Sequence, residues 1–538
     1  MSTQTPPGYA GDRTDSSRPR SPLWLWALTL ALLGVVVWMQ RPEPPDLQAE
    51  HRRVAGLDVK APQVDPMILV ARLIEGFKAD SPMYAQQMNT YVDGMAGWSP
   101  DNPFAGAVSA ANPPKKRKHP EPAADRLRAT IVTGETLGPA ELDWRLKDIE
   151  KDLDAESPLR GDVDLVRKLY SVAPDSAGKF PAAPAPPLSA TDRAALGSGE
   201  VQGFRTRHGW FADLALTRGD TDALFRRDLR SSGQNLIMGV LGVAALGVVW
   251  GMGVLAASVT LIIFAALGRF RVRGFMRPDP GAEWPAEPEA RRMPGDSERR
   301  PGSVWLETVA VFLTGFLGVK LASMGLHVID ESGSWTITAT LALQWMLVTA
   351  IFWPVVRGMS WERWRGEIGW HTGRGVWREI GSGLLAYYGA APLYFLLAIV
   401  VFLIASLAAY LMGNDPPSAD ASRLFDIISD GGFLQKALLF SLAVFWAPIV
   451  EESIFRGALY RHLRRSWPVW VAALGSAAVF AAMHGYMFMQ LVLVGSLGLM
   501  FALMREWRGS LIPSVTAHAV HNFTALTLQF VIVQIMRP

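Results

Sequence analysis

The apolar run Leu236–Leu267 carries no charged residue, and this limits the folds open to the chain. As one tilted helix the run extends about 48 Å, more than the roughly 30 Å hydrocarbon core of a bilayer. Eight further apolar runs lie at Leu23–Met39 and near 304–326, 335–355, 383–412, 433–458, 469–484, 486–504 and 511–535. The predicted fold class is all-α: a polytopic helical membrane protein of about nine transmembrane helices with an inserted, mainly helical soluble domain.

Arginines beside these runs predict the orientation, because cytoplasmic loops carry an excess of Lys and Arg. The run Leu236–Leu267 is followed directly by Arg269, Arg271, Arg273 and Arg277, which favours a single crossing over a tight hairpin. The first run is preceded by Arg13, Arg18 and Arg20. No small-residue cleavage site follows this run, so it is predicted to be an uncleaved signal anchor. The N-terminus is therefore expected in the cytoplasm and residues 41–232 outside it.

These features divide the sequence into four parts. Residues 1–40 are an N-terminal tail and signal-anchor helix, and residues 41–232 an extracytoplasmic soluble domain. Apolar residues at helical spacing in Met67–Phe77 and Leu127–Leu169 predict that this domain is mostly helical. Residues 233–300 are a long transmembrane helix and a cytoplasmic Arg-rich linker, and residues 301–538 a membrane domain. One loop of that domain carries Trp361, Trp364, Trp370 and Trp377, which we expect along the inner membrane face.

Composition excludes several classes of chemistry. The chain contains no cysteine, which rules out a disulfide framework, a thiol nucleophile and thiolate-bound zinc or iron–sulfur clusters. A formal charge of +3 is too small to indicate nucleic-acid binding. The abundance of Ala, Arg, Gly and Trp suits a bacterium with GC-rich DNA, so the inner (cytoplasmic) membrane is the expected location.

The sequence Glu451-Glu452-Ser-Ile-Phe-Arg456-Gly places three charges in an apolar run. Each would cost roughly 2.5–3.5 kcal/mol at the centre of a bilayer if it were isolated. In an α-helix, Glu452 and Arg456 are one turn apart and can pair, whereas Glu451 points elsewhere. This favours a structural role for Glu452 and Arg456 and a chemical role for Glu451. The alternative is a cytoplasmic helix end whose charges are solvated.

Two histidine motifs follow on later apolar runs, Phe480-Ala-Ala-Met-His484 and His518-Ala-Val-His-Asn522. The spacing of four places the Phe480 ring beside the His484 imidazole. The alternative is that His484, a single histidine near the end of a span, is an interfacial or core residue. His518 and Asn522 share one face and can jointly donate hydrogen bonds to a developing oxyanion. Interhelical hydrogen bonding is the alternative for this pair. His521 lies near the same face and is a second candidate histidine.

The three motifs together resemble the CAAX prenyl endopeptidase and bacteriocin-processing (CPBP, or Abi) family of intramembrane proteases. The family pattern is EExxxR, then FxxxH, then HxxxN, and the chain matches each part. The resemblance covers roughly residues 300–535, so residues 301–538 are expected to form a CPBP-like protease domain. It implies functional roles for Glu451, Glu452, Arg456, His484, His518 and Asn522. The region 41–232 lies outside the family pattern.

These residues predict an intramembrane endopeptidase that hydrolyses a peptide bond with Glu-activated water, in protein maturation or sorting. Glu451 is the expected general base, and His484 helps to orient or deprotonate the water. His518 and Asn522 hold the oxyanion. No cofactor is favoured, but Glu451, His484 and His518 also form a ligand set known for zinc, so a zinc-dependent protease is an alternative. A non-catalytic membrane immunity or scaffold protein is another.

The expected partners are the lipid bilayer and a membrane-anchored protein or peptide substrate, with no nucleic acid. A signal-anchored external domain suggests that part of the substrate is recognised outside the cytoplasm. Such a substrate would carry a transmembrane helix near its C-terminus. A transporter with proton-coupling Glu and His residues is disfavoured, because the two halves of the sequence show no internal repeat.

Overall fold

The computed structural model shows a helical protein without strands in its described residues. It describes residues 21–40, 68, 72, 123–137, 142–170, 188, 196–218, 220, 223–268, 304–329, 334–411, 427–428, 431–485 and 488–536. Most of the predicted helix Met67–Phe77 and all of the Arg-rich linker lie outside these residues. The chain divides into two compact units, Met1–Pro42 with Val249–Gln529 and Glu43–Val248 with Phe530–Pro538.

The helices follow the apolar runs closely. In chain order they are α1 (Leu23–Met39), α2 (Ala123–Leu137), α3 (Asp143–Lys151), α4 (Leu159–Leu169), α5 (Ser198–His208), α6 (Trp210–Leu216), α7 (Leu224–Ala266), α8 (Val304–Ile329), α9 (Ser334–Gln344), α10 (Trp353–Val356), α11 (Trp361–Ile368), α12 (Val376–Leu411), α13 (Phe433–Ser441), α14 (Ala447–Glu451), α15 (Tyr460–Arg464), α16 (Val469–Ala482), α17 (Phe488–Arg508) and α18 (Ile512–Met536). A 3-10 segment, Trp345–Phe352, joins α9 to α10. Two π-helical segments, Leu442–Trp446 and Glu452–Leu459, interrupt the helix that begins with α13.

Long apolar helices confirm the prediction of an integral membrane protein. Among the described residues, six helical stretches are long and apolar enough to cross a membrane. They are Leu224–Ala266, Val304–Ile329, Trp335–Val356, Val376–Ala408, Phe433–Arg464 and Met489–Arg508. Helices α1 and α16 are apolar but shorter. Helix α18 covers the ninth predicted run but is not among these six stretches. The count of nine spans therefore stays a prediction.

The unit that includes residues 123–218 is a small helical domain with its own core. Helix α4 turns Val163, Val166 and Leu169 inward at the spacing of an amphipathic helix. These side chains belong to one core cluster with Phe204 of α5 and Phe211 of α6. Helices α2, α3 and α4 therefore confirm the helical spacing predicted over Leu127–Leu169.

Helix α11 has a defined cap at each end. Ser360 caps its N-terminus by accepting a hydrogen bond from the Arg363 backbone N–H. Gly369 ends it in the left-handed conformation, with φ of 105°. Trp364 is buried and donates from its indole to the Ile351 carbonyl over 2.9 Å. The Trp364 ring therefore packs inward, while Trp361 and Trp377 are exposed.

A hydrogen-bonded cluster around the buried Asp162 joins α4 to α5 in the small helical domain. Asp162 Oδ1 and Oδ2 each accept a 2.6 Å hydrogen bond from Arg207, and Oδ2 lies 3.0 Å from His208 Nε2. Burial alone would raise the pKa of Asp162, but the hydrogen bonds from Arg207 and His208 outweigh it and lower that pKa. Burial lowers the pKa of His208 below its ordinary value of 6.5, although Asp162 opposes the shift.

Acid is therefore expected to loosen this domain in two stages. Because folded His208 binds a proton less readily than the unfolded chain, stability falls as the pH drops below about 6.5. The contribution of Asp162 is complete above its ordinary pKa of 3.8 and is lost as the pH falls through its lower folded value. Limited proteolysis, mapped within Leu159–His208, should be faster at pH 5.5 than at pH 7.5 after correction for protease activity. His208→Gln should remove most of this difference, and an unchanged pH dependence in that variant would contradict the assignment.

Candidate active site

The Glu451–Gly457 motif lies where the helix changes its hydrogen-bonding pattern. Glu451 is the last residue of α14, and Glu452 begins the π-helical segment Glu452–Leu459. In this segment each N–H reaches the carbonyl five residues back, which widens the turn. Both Glu452 and Arg456 are fully buried, with 0 % of their side chains exposed. The alternative of a solvated helix end is therefore wrong for this pair.

Glu452 and Arg456 pair as the spacing of four predicted. Arg456 Nη1 donates to Glu452 Oε1 over 2.9 Å, and Nη2 donates to the Gly498 carbonyl of α17 over 3.0 Å. The guanidinium carbon lies 4.2 Å from the ring centre of Phe480 and 5.2 Å from that of Phe501. Cation–π contacts are strongest when the cation is desolvated, as it is here. The arginine thus joins the motif helix to α16 and α17.

His518 connects the third motif to this ion pair. Its Nδ1 lies 3.1 Å from Glu452 Oε1, and its Nε2 lies 3.9 Å from Glu451 Oε2. An ionised carboxylate can only accept, so Nδ1 carries the proton in the contact with Glu452. The imidazole stacks on Phe501 at 5.0 Å between ring centres and lies edge-on to Phe480. The two adjacent glutamates therefore face opposite nitrogens of one ring.

Glu451 differs from Glu452 in its hydrogen bonding. Glu452 Oε1 accepts from Arg456 and His518, whereas Glu451 accepts no hydrogen bond from the described residues. The Oε2 atoms of both glutamates are buried without a donor in this part of the chain. The sequence prediction that Glu451 points away from Arg456 assumed an α-helix. In the wider π turn, residues five apart lie closer to one side, so Glu451 lies nearer the side of Arg456 than an α-helix would place it. Glu451 Oε2 lies 3.9 Å and Glu452 Oε1 lies 3.1 Å from the two ring nitrogens of His518.

His484 is held in one tautomer by its own helix end. Its Nδ1 lies 2.8 Å from the Phe480 carbonyl, which can only accept, so Nδ1 carries the proton. In the neutral ring the lone pair is then on Nε2. The ring also contacts the Phe480 side chain, with ring centres 4.7 Å apart, as the spacing predicted. Phe480 therefore touches His484, His518 and Arg456 at once.

Asn522 and His521 point to different neighbours from the same helix. Asn522 Nδ2 donates to the Ala443 carbonyl over 2.7 Å. His521 Nδ1 lies 3.4 Å from the Tyr387 hydroxyl, and its ring packs edge-on to Tyr387 and Tyr394 of α12. His521 therefore faces an aromatic cluster rather than the two glutamates. Both His518 and Asn522 make interhelical hydrogen bonds, which was the alternative to an oxyanion role.

Three contributors to the site were not identified from the sequence. Gly498 supplies a carbonyl to Arg456, Phe501 supplies the ring beneath His518, and Ala443 supplies a carbonyl to Asn522. A small residue inside an apolar run was the available signal for Gly498, because such residues allow helices to approach closely. A carbonyl acceptor such as that of Ala443 leaves no signal in the residue type.

The residues proposed for a zinc site do not form a metal-holding group here. Within the described residues, which include Glu451, His484 and His518, no cluster of three or more His, Asp or Glu side chains has an arrangement suited to a metal ion. His518 directs Nδ1 to Glu452, and His484 directs Nδ1 to a backbone carbonyl, so Nε2 is the ring nitrogen left in each for a ligand or a proton.

The fold and site define an integral membrane protein with a buried polar centre between its helices. Residues 433–524 match the family model described as Rce1-like, type II CAAX prenyl endopeptidase. This segment is an Rce1-like domain, consistent with a CPBP-family protease, and it contains all three motifs. The match is shorter than the resemblance over 300–535 expected from the sequence. Comparison with curated proteins and with solved structures gives no match.

Gly498 provides a test of the packing around Arg456. A Cβ atom at this position would lie 3.0 Å from Phe480 Cδ1 and 3.1 Å from Arg456 Nη2, both closer than ordinary contacts. We expect Gly498→Ala to destabilise the protein by about 1–3 kcal/mol, a typical cost of overpacking. Gly495→Ala on the same helix is the matched control, because its Cβ would meet Ala481 at an ordinary 3.6 Å. Thermal unfolding in detergent measures both, and equal melting temperatures would contradict the packing argument.

Proposed function

We propose that this protein is an intramembrane endopeptidase that hydrolyses a peptide bond with water activated by Glu451. The carrying observation is the buried Glu451 Oε2, which accepts no hydrogen bond from the described residues and faces His518 Nε2 at 3.9 Å. A buried carboxylate oxygen without a donor is costly unless a ligand or water satisfies it. A water molecule bound to Oε2 is in position to lose a proton to the carboxylate.

The remaining polar groups supply the other parts of the reaction. His484, with its lone pair on Nε2, orients the same water or takes part in the proton transfer. The second N–H of the Asn522 amide donates to the tetrahedral oxyanion, since the first is bound to the Ala443 carbonyl. The proton that Glu451 takes from the water passes to His518 Nε2, 3.9 Å away, and this N–H then donates to the oxyanion while Nδ1–H stays bonded to Glu452. Glu452 and Arg456 then act as structural support.

The proposed substrate is a membrane-anchored protein or one with a C-terminal transmembrane tail, cleaved during maturation or sorting. The family description names CAAX prenyl substrates. We favour a bacterial substrate without a prenyl group, because the composition suits a bacterium with GC-rich DNA. We further propose the inner membrane, a cytoplasmic N-terminus, and residues 41–232 outside the cytoplasm, where they would contact part of the substrate. The arginine distribution supports this orientation.

A non-catalytic membrane module is the second candidate. It is favoured by one observation, namely that His518 and Asn522 both make hydrogen bonds between helices. A scaffold would retain these bonds but would have no use for Glu451, whose buried carboxylate, unlike that of Glu452, accepts no hydrogen bond from the described residues. The protease therefore requires Glu451, whereas the scaffold does not.

Glu451→Gln is expected to abolish cleavage while leaving the fold intact, because the side chain keeps its shape and loses its basicity. The rate should fall by about 10²–10⁴. New N-termini in bacterial membrane proteins incubated with the purified protein, identified by mass spectrometry, measure the activity. More than about a tenth of wild-type activity in this variant would refute the general-base role. Glu452→Gln is the matched control: it should lower the melting temperature, since the buried Arg456 loses its anionic partner.

Chelation separates the water-activating glutamate from the zinc alternative. We expect cleavage to continue after treatment with a strong zinc chelator, because Glu451, His484 and His518 are not grouped for ligation. The same membrane-protein assay provides the measurement, with a known zinc protease as the positive control. Loss of activity with chelator, restored by added zinc, would reassign the three side chains to metal binding.

A further inference from the structure

The π-helical segment Leu442–Trp446 precedes the catalytic motif and leaves one carbonyl without a donor from its own helix. The Ala447 N–H donates to Leu442, five residues back. In a helix, Ala443 can accept from the residue four or five positions ahead, which are Ala447 and Pro448. Ala447 is already bound to Leu442, and Pro448 has no N–H. Neither of these two residues therefore supplies a hydrogen bond to the Ala443 carbonyl.

Asn522 occupies this carbonyl from across the helix interface. The distance from Asn522 Nδ2 to the Ala443 oxygen is 2.7 Å, over a sequence separation of 79 residues. Because an amide group is planar, fixing one N–H also fixes the direction of the second N–H and of Oδ1. The backbone at Ala443 therefore decides where the remaining Asn522 donor points.

We propose that Pro448 is a positioning residue for Asn522. By lacking an N–H, it keeps the Ala443 carbonyl open to the Asn522 amide and so aims the second N–H at the reacting carbonyl. Pro448 is buried two residues after Trp446 and does not contact the reaction itself. This inference rests on the proposed function, since it deepens the role assigned to Asn522.

The physical effect of restoring the N–H follows from helix geometry. A carbonyl oxygen has two lone pairs, so an added donor alone does not displace the asparagine. With an N–H at position 448, however, the local chain can return to regular α-helical bonding, in which residue 448 donates to Val444 and Ala447 donates to Ala443. In that register the carbonyls point along the helix axis. The Ala443 oxygen then turns away from α18, and holding Asn522 in place costs side-chain entropy with no bond to offset it.

The test is a double-mutant cycle on the full-length protein in lipid bilayers. Pro448→Ala should lower kcat about tenfold with KM within about twofold, because orientation in the transition state is lost rather than binding. Asn522→Ala should lower kcat by about 10²–10³. The double variant should be no slower than Asn522→Ala alone, since Pro448 acts only through that amide. Independent, multiplying effects would overturn the proposal.

Two controls separate the missing donor from proline's shape. Pro392→Ala makes the same chemical change inside α12 and should leave kcat unchanged. Replacing Pro448 by the α-hydroxy acid counterpart of alanine creates a backbone ester, which has no N–H and no ring. This ester variant should keep most of the wild-type activity. If it is as slow as Pro448→Ala, the ring rather than the missing donor matters, and the proposal fails.

Thermal stability gives a readout that does not require activity. Asn522→Ala should lower the melting temperature in the wild-type background, because it removes the bond to Ala443. The same change should have little effect in the Pro448→Ala background, where that bond is already lost. Equal shifts in both backgrounds would refute the positioning role. Absence of any cleavage by the wild type would instead refute the proposed function, so the two failures are distinguishable.

Discussion

The buried ion pair between Glu452 and Arg456 is the interaction on which the arrangement of the motif helices depends. Removing two charges from water costs several kcal/mol per ion, which their mutual attraction repays only with good geometry and further hydrogen bonds. Here the further bonds come from other helices: the Gly498 carbonyl binds the arginine and His518 Nδ1 binds the glutamate. These two bonds therefore form only when α17 and α18 are in place.

The aromatic rings around the pair extend this dependence to the second motif. Phe480 lies against the Arg456 guanidinium, and the same residue provides both a ring and a carbonyl to His484. Phe501 lies on the other side, where it contacts both Arg456 and His518. The three motifs, which are far apart in sequence, thus meet through one cation and two phenylalanine rings.

Much of the fold was predictable because its cause is local to each apolar run. Within the described residues, each predicted apolar run is mainly helical, and the Glu452–Arg456 pair follows from a spacing of four. The orientation of Glu451 was not predictable in this way. It depends on a π turn beginning at Glu452, and the residue types of Glu452–Leu459 do not distinguish i→i+5 from i→i+4 bonding. The backbone acceptors Gly498 and Ala443 were missed for a related reason, since any residue can provide a carbonyl.

The short segment that follows α11 holds the helices of the first and third motifs in a fixed position along each other. Its Trp370 indole donates to the Ser453 hydroxyl over 3.0 Å, directly after the glutamate pair. One residue earlier, the Gly369 carbonyl accepts from the Leu511 N–H over 2.9 Å, at the start of the helix that carries His518. A Cβ at Gly457 would lie 2.5 Å from the Ile368 side chain, so the motif helix approaches this segment as closely as a glycine allows. Two adjacent residues therefore fix the first and third motifs against a common reference, which keeps both glutamates opposite the two nitrogens of one imidazole.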